Sequence, residues 1–225
     1  MYETFQRSEK KYLLDQKQYR KLLELLKDRI VPDHFHHSDL RSIYYDTDSY
    51  ELIRRSIERP LYKEKLRIRS YDDLQEDDPV YVEFKKKYDG IVYKRRTKTR
   101  YKEALTDIRS CSFQDEQIGK EIRYALEHYD RLSPKIYIST SRDSYMGKED
   151  EKLRITFDTD IRYRMDRLSL TSDETDKQLT DKIVMELKVH EAMPLWLSRA
   201  LDEIHAYPQA FSKVGTAYLK EIEGA

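Results

Sequence analysis

The 225-residue chain sets 43 Lys plus Arg against 43 Asp plus Glu, so its formal net charge at pH 7 is zero although 38% of its residues are charged. That balance excludes the global positive excess that steers a chain to nucleic acid or to an anionic membrane, and it makes any basic site local. The length suits one large domain, residues 1–225, and 19 Tyr with regular apolar periodicity argue against disorder.

The first residues, MYETFQRSEKKY, lack the basic start, apolar centre and small-residue cleavage site of a secretory signal, and no run is long enough to cross a bilayer. A cytoplasmic protein is expected. Phe5 to Leu14 reads as a strand with Arg7, Glu9 and Lys11 on one face. Asp15 suits an N-cap for a helix through Arg29, striped by Tyr19, Leu22, Leu23, Leu25 and Leu26. Val31 to Asp39 reads as a solvated loop, since His34, His36 and His37 lack carboxylates at helical ligand spacing. Leu40 to Asp46 is the second strand, and Thr47 to Arg59 a short helical excursion capped by Thr47 or Asp48.

Tyr62 to Tyr71, YKEKLRIRSY, alternates strictly, with Lys63, Lys65, Arg67 and Arg69 on one face and Leu66 and Ile68 on the other. Val80 to Lys87 repeats the pattern, setting Val80, Val82 and Phe84 against Tyr81, Glu83, Lys85 and Lys87. Asp89-Gly90 signals a hairpin that returns Ile91 to Thr97 alongside, and its register decides which face Lys94 and Arg96 take. Cys111, the single cysteine, excludes an internal disulfide and reads as an inert small residue. Phe113 to Arg131 is helical, Lys135 to Met146 and Lys152 to Arg164 are strands joined around Gly147, and Asp166 to Lys182 is a surface loop. Ile183 to Val189 is a strand with Glu186 and Lys188 on its polar face, Pro194 opens a helix at its first position, and the segment beyond Ser212 is helical.

About eight antiparallel strands are enough to close a barrel. The expected fold is therefore α+β, an eight-stranded antiparallel β-barrel tunnel with a charged interior, flanked by helices. Turned inward, the polar faces would bring together Arg7, Lys11, Lys65, Arg67, Arg69, Lys85, Lys87, Lys94, Arg96, Arg142, Arg154 and Lys188, with Glu9, Glu83, Asp158 and Glu186 among them. Like charges a few Å apart repel by several kcal/mol at intermediate dielectric, and a chain of phosphates would relieve that repulsion. Repeated Arg points the same way, since guanidinium binds phosphate in bidentate fashion.

In chain order, the segments RSEKKY, SIYYDT, KLRIRSY, YVEFKKK with YKRR, SRDSY, LRITFDTDI, VMELKV and AFSKVGTAY resemble the catalytic domain of the vacuolar transporter chaperone (VTC) polyphosphate polymerases, a branch of the triphosphate tunnel metalloenzymes. The resemblance spans Phe5 to Tyr218. It implies transfer of the terminal phosphoryl group of ATP to inorganic polyphosphate with release of ADP, using Mn2+ or Mg2+. It implies that Lys11, Arg67, Arg69, Lys85, Arg142, Arg154 and Lys213 hold phosphate. Arg7, Lys65, Lys87, Lys94, Arg96 and Lys188 are further substrate-binding candidates. Glu186 is similar to the family's metal-binding glutamate, and Glu9, Glu83 and Asp158 are the other carboxylates available to a metal. The larger family members carry a phosphate-sensing domain and membrane helices that are not found in this sequence, which suggests a soluble form and leaves room for a separately encoded membrane partner. Two other readings stay open: a triphosphate or tripolyphosphate hydrolase of the same fold, and a non-catalytic polyphosphate-binding module.

Overall fold

The computed structural model describes residues 8–58, 60–72, 74, 78–89, 91–113, 117–129, 131–190 and 192–224. In chain order they form β1 (Ser8–Leu14), α1 (Gln16–Leu26), β2 (Ile30–Asp46), α2 (Glu51–Ile57), β3 (Tyr62–Tyr71), β4 (Pro79–Tyr88) and β5 (Ile91–Arg100). There follow α3 (Tyr101–Ser110), α4 (Gln117–His128), β6 (Ser133–Gly147), β7 (Arg154–Arg164), β8 (Lys177–Gln178), β9 (Ile183–Val189), α5 (Leu195–Glu203) and α6 (Lys213–Tyr218).

The strands are hydrogen-bonded in the order β1-β9-β7-β6-β2-β3-β4-β5, with the short β8 beside β7. Among the described residues the sheet is open, and the expected closed barrel is corrected: β1 ends the path on β9 and β5 ends it on β4. Alternation of charged and apolar residues puts each set on its own face in an open sheet as readily as in a closed one. Closure depends instead on backbone pairing between the outermost strands, to which side-chain pattern is indifferent. Among the described residues, no helix is long and apolar enough to cross a membrane.

The chain divides into two compact units, interleaved in sequence: residues 1–39, 140–161 and 180–211, and residues 40–139, 162–179 and 212–225. In the first, Tyr12 and Leu14 of β1, Ile155 and Phe157 of β7, and Met185 and Leu187 of β9 turn one face to Leu22 and Leu26 of α1 and to Leu197 and Leu201 of α5. Asp15 caps α1 as expected: its carboxylate accepts from Gln18 N at 2.8 Å, and the Gln18 side chain accepts from Asp15 N at 3.0 Å. Pro194 is the N-cap of α5, not its first residue.

Residues 31–39 are strand, not loop. Two of their histidines have partners on β6: His36 Nδ1 lies 3.1 Å from Ser144 O, and His37 Nδ1 lies 2.7 Å from Asp143 Oδ1. Pro32, two aspartates and three histidines make a poor local strand signal, which pairing with a neighbouring strand overrides.

In the second unit, Leu66 and Ile68 of β3 and Val80, Val82 and Phe84 of β4 are fully buried against Ala104 and Ile108 of α3 and Ile122, Ala125 and Leu126 of α4. α3 was not foreseen, although Tyr101, Ala104, Leu105 and Ile108 carry the spacing of a helical stripe. Of the two caps expected for α2, Thr47 acts, its Oγ1 accepting from Glu51 N, and Asp46 rather than Asp48 joins it, its carboxylate accepting from Thr47, Leu52 and Ile53 N at 2.8–2.9 Å. The 165–176 loop folds around a buried guanidinium. Arg164 pairs with Asp176 at 2.7 Å, donates to the carbonyls of Arg167, Ser169 and Thr171, and stacks 3.8 Å from the Tyr137 ring centroid.

Candidate functional site

The charged candidates fall on two faces, one in each unit, and each face can be built from strand register. In the second unit, Tyr44, Arg67, Glu83 and Arg96 lie directly opposite one another across β2, β3, β4 and β5. One residue pair to one side is the row Lys65–Lys85–Lys94, and to the other the row Ser42–Arg69–Tyr81–Lys98. The register thus places Lys94 and Arg96 on the same face as Arg67 and Arg69. Lys63 and Lys87 follow, paired with each other.

Glu83 anchors the middle row. Its side chain is 2% exposed; Oε2 accepts from Arg67 Nε at 2.7 Å and Nη2 at 2.5 Å, and Oε1 stands 2.6 Å from Lys94 Nζ in an ion pair. Burial by itself would raise the Glu83 carboxyl. The charges of Arg67, Arg69 and Lys94 outweigh it and bring the pKa down to about 2. Arg67 Nη1 donates to Tyr44 Oη at 2.8 Å, and the guanidinium carbon lies 5.6 Å from that ring's centroid. Burial likewise pushes the Tyr44 phenol up, yet Arg67, Arg69 and Lys65 together lower its pKa to about 7. Arg69 Nε donates to Ser42 Oγ at 3.1 Å, and Lys65 Nζ to Ser212 Oγ at 2.9 Å, next to Lys213 at the start of α6. Tyr44 and Glu83 therefore hold Arg67 from two sides, as Ser42 holds Arg69. The row of three lysines contains no carboxylate of its own.

In the first unit, Lys11 of β1 faces Glu186 of β9, which faces Thr156 of β7, while Glu9 and Arg154 flank Lys188. Lys188 Nζ lies 2.7 Å from Glu186 Oε1, and Lys11 Nζ donates to Phe211 O at 3.2 Å. Burial opposes ionisation of Glu186, but Lys188, Lys11 and Arg142 overcome it and hold the carboxyl below its usual range. Arg142 grips Asp158 with a two-pronged contact, Nε to Oδ1 at 2.5 Å and Nη2 to Oδ2 at 2.7 Å. Arg154 pairs with Asp33 of β2. Arg7 lies outside the described residues.

The carboxylates differ in what they could offer a metal. Both oxygens of Glu83 and both of Asp158 are already engaged by cationic side chains. Among the described residues no three His, Cys, Asp or Glu side chains are grouped to share an ion. A divalent cation needs only one or two carboxylates when phosphate oxygens complete its shell. Glu186 has its Oε1 paired with Lys188, and the buried Thr156 hydroxyl on the strand opposite has no hydrogen-bond partner among the described residues; a carboxylate and a hydroxyl are oxygens of the kind such a cation takes.

Tyr44, Ser42, Ser212, Thr156 and Asp33 were not singled out from sequence. Alternation in LRSIYYD already put Ser42 and Tyr44 on one face, so the signal for those two was present. What was missing was the identity of the opposing strand.

The model of the VTC domain matches residues 6–221. A search of curated proteins finds none that matches. Among solved structures, a Bacillus halodurans protein described provisionally as an adenylate cyclase superposes with a TM-score of 0.55 at 15% identity, covering 92% of this chain and 95% of its own. A Vibrio parahaemolyticus protein with the same provisional description gives a TM-score of 0.46 at 13% identity, covering 97% and 98%. At such identity the Bacillus likeness speaks for the fold alone.

Proposed function

We propose, from the premise that this chain belongs to the VTC domain family of the CYTH-like triphosphate tunnel metalloenzymes, that it is an ATP-dependent polyphosphate polymerase. The observation that carries this reading is the polar face of the second unit, where Lys65, Arg67, Arg69, Lys85, Lys94 and Arg96 are gathered around the carboxylate of Glu83. Such a face suits a ligand with several anionic groups in series. The reaction joins a terminal oxygen of polyphosphate to the γ-phosphorus of ATP and breaks the bond from that phosphorus to the β–γ bridging oxygen, whose electrons leave with ADP. The attacking oxygen is already anionic at neutral pH, so no protein base is required.

Catalysis then rests on alignment and on fixed cations facing the equatorial oxygens. Arg67 and Arg69 are suited to this because Tyr44, Glu83 and Ser42 restrain their guanidinium groups before any ligand arrives. In the first unit, taken by itself, Glu186 with Thr156 would hold Mn2+ or Mg2+, an ion whose chemistry is to neutralise charge on phosphate oxygens. Lys11 and Lys188 keep the Glu186 carboxylate ionised.

The test is incubation of the purified protein with ATP and Mn2+, followed by product identification. Long-chain polyphosphate with ADP supports the polymerase. Free phosphate without polymer means a triphosphate hydrolase, a cyclic nucleotide with pyrophosphate means the activity suggested for the Bacillus halodurans protein, and tight binding without product means a binding module.

A further inference from the structure

The polar face of the second unit changes character at one end. Beyond Arg67 and Arg69, β3 continues on the same face to Tyr71, and Tyr81 of β4 stands directly opposite Arg69. The Tyr71 and Tyr81 rings meet edge to face, with centroids 5.6 Å apart and planes at 87°. The guanidinium carbon of Arg96, from β5, lies 4.7 Å from the Tyr81 centroid. Tyr71 keeps 40% of its surface exposed. An aromatic pair that only stabilised the sheet would gain more by turning to the apolar face, where Ile68 and Val82 are completely buried. Here the two rings lie on the charged side, ending a file of phosphate-binding candidates. Arg67 and Tyr71 are four residues apart on one strand, roughly 13 Å.

We infer that Tyr71, backed by Tyr81 and Arg96, is a stacking platform for the base of a nucleoside triphosphate whose phosphates lie along Arg69 and Arg67. This rests on the proposed use of ATP and goes beyond it, because it assigns a place to the base, which a bare chain of phosphates lacks. The base contributes a π-face rather than hydrogen-bonding edges, so the platform tolerates any base and discriminates nucleotide from inorganic phosphate chains. Arg96 lies over the face of Tyr81, steadies that ring and places positive charge close to the base and ribose.

The experiment is calorimetric titration in EDTA, which prevents turnover, of ATP and of inorganic tripolyphosphate into wild type, Tyr71→Ala and Tyr71→Trp. Loss of one stacking partner weakens ATP binding by about ten-fold or more in Tyr71→Ala. Tripolyphosphate binding stays unchanged in that variant, and Tyr71→Trp keeps the wild-type affinity for ATP. Equal weakening of both ligands, or unaltered ATP affinity in Tyr71→Ala while tripolyphosphate still binds, overturns the platform and leaves the phosphate site standing. Failure of the wild type to bind either ligand overturns the phosphate reading and the platform with it. Circular dichroism of both variants separates loss of a contact from loss of fold.

Discussion

Replacing Glu83 by Gln keeps the shape of the side chain and removes the one negative charge that Arg67 and Lys94 share. Two routes give the magnitude at neutral pH. The fall of the Glu83 pKa from 4.5 to about 2 corresponds to about 3 kcal/mol. Removing one partner of a buried ion pair costs about 3–5 kcal/mol, because the other charge stays buried without compensation. The two agree, and the expected loss at pH 7 is about 3 kcal/mol. A depressed carboxyl pKa means that the native state binds fewer protons than the unfolded chain, so this contribution is present in full above pH 4.5 and disappears as the pH falls through about 2. Urea denaturation of wild type and variant, followed across that range, should therefore show a gap that narrows with acidification. Tripolyphosphate should stabilise the variant more than the wild type, since the added anion takes over the missing compensation. A loss below about 1 kcal/mol, the scale of an exposed pair, or a gap independent of pH would refute the reasoning.

Tyr44 should titrate near pH 7 in the folded protein, visible as the ultraviolet difference band of tyrosinate, and Tyr44→Phe should abolish that step. Because its folded pKa lies below the usual 10.0, its contribution to stability is full above pH 10.0 and is lost as the pH falls through about 7; a wild-type band that develops only at the alkaline end would disprove the assignment. Glu186→Gln should abolish metal-dependent turnover of ATP while tripolyphosphate binding in EDTA persists; undiminished turnover would remove its metal role. Asp176→Ala strands the buried Arg164 and should cost about 3 kcal/mol in urea denaturation, partly offset by the carbonyls that also accept from it. A change within experimental error would show that the carbonyls alone are enough.

Much of this protein was legible in its sequence because alternation is a local property. Tyr62–Tyr71 and Ile183–Val189 occur as strands over the expected residues, and Lys65, Arg67 and Arg69 share a face simply because successive side chains on a strand point opposite ways. Asp15 ahead of an apolar helical stripe was likewise enough to mark the start of α1. Tertiary structure decided everything that depends on what lies opposite. Whether the sheet closes is settled by backbone pairing at β1 and β5, which no side-chain pattern encodes. That residues 31–39 are strand follows from a neighbour that offers hydrogen bonds, against weak local propensity. Tyr44 is an unremarkable tyrosine until Arg67, Arg69 and Lys65 surround it, because a pKa reports the summed field of groups far apart in the chain. Sequence alone established which residues carry charge on a common face; only the register showed that Glu83 joins Arg67 to Lys94 and that the same face ends in a pair of tyrosine rings.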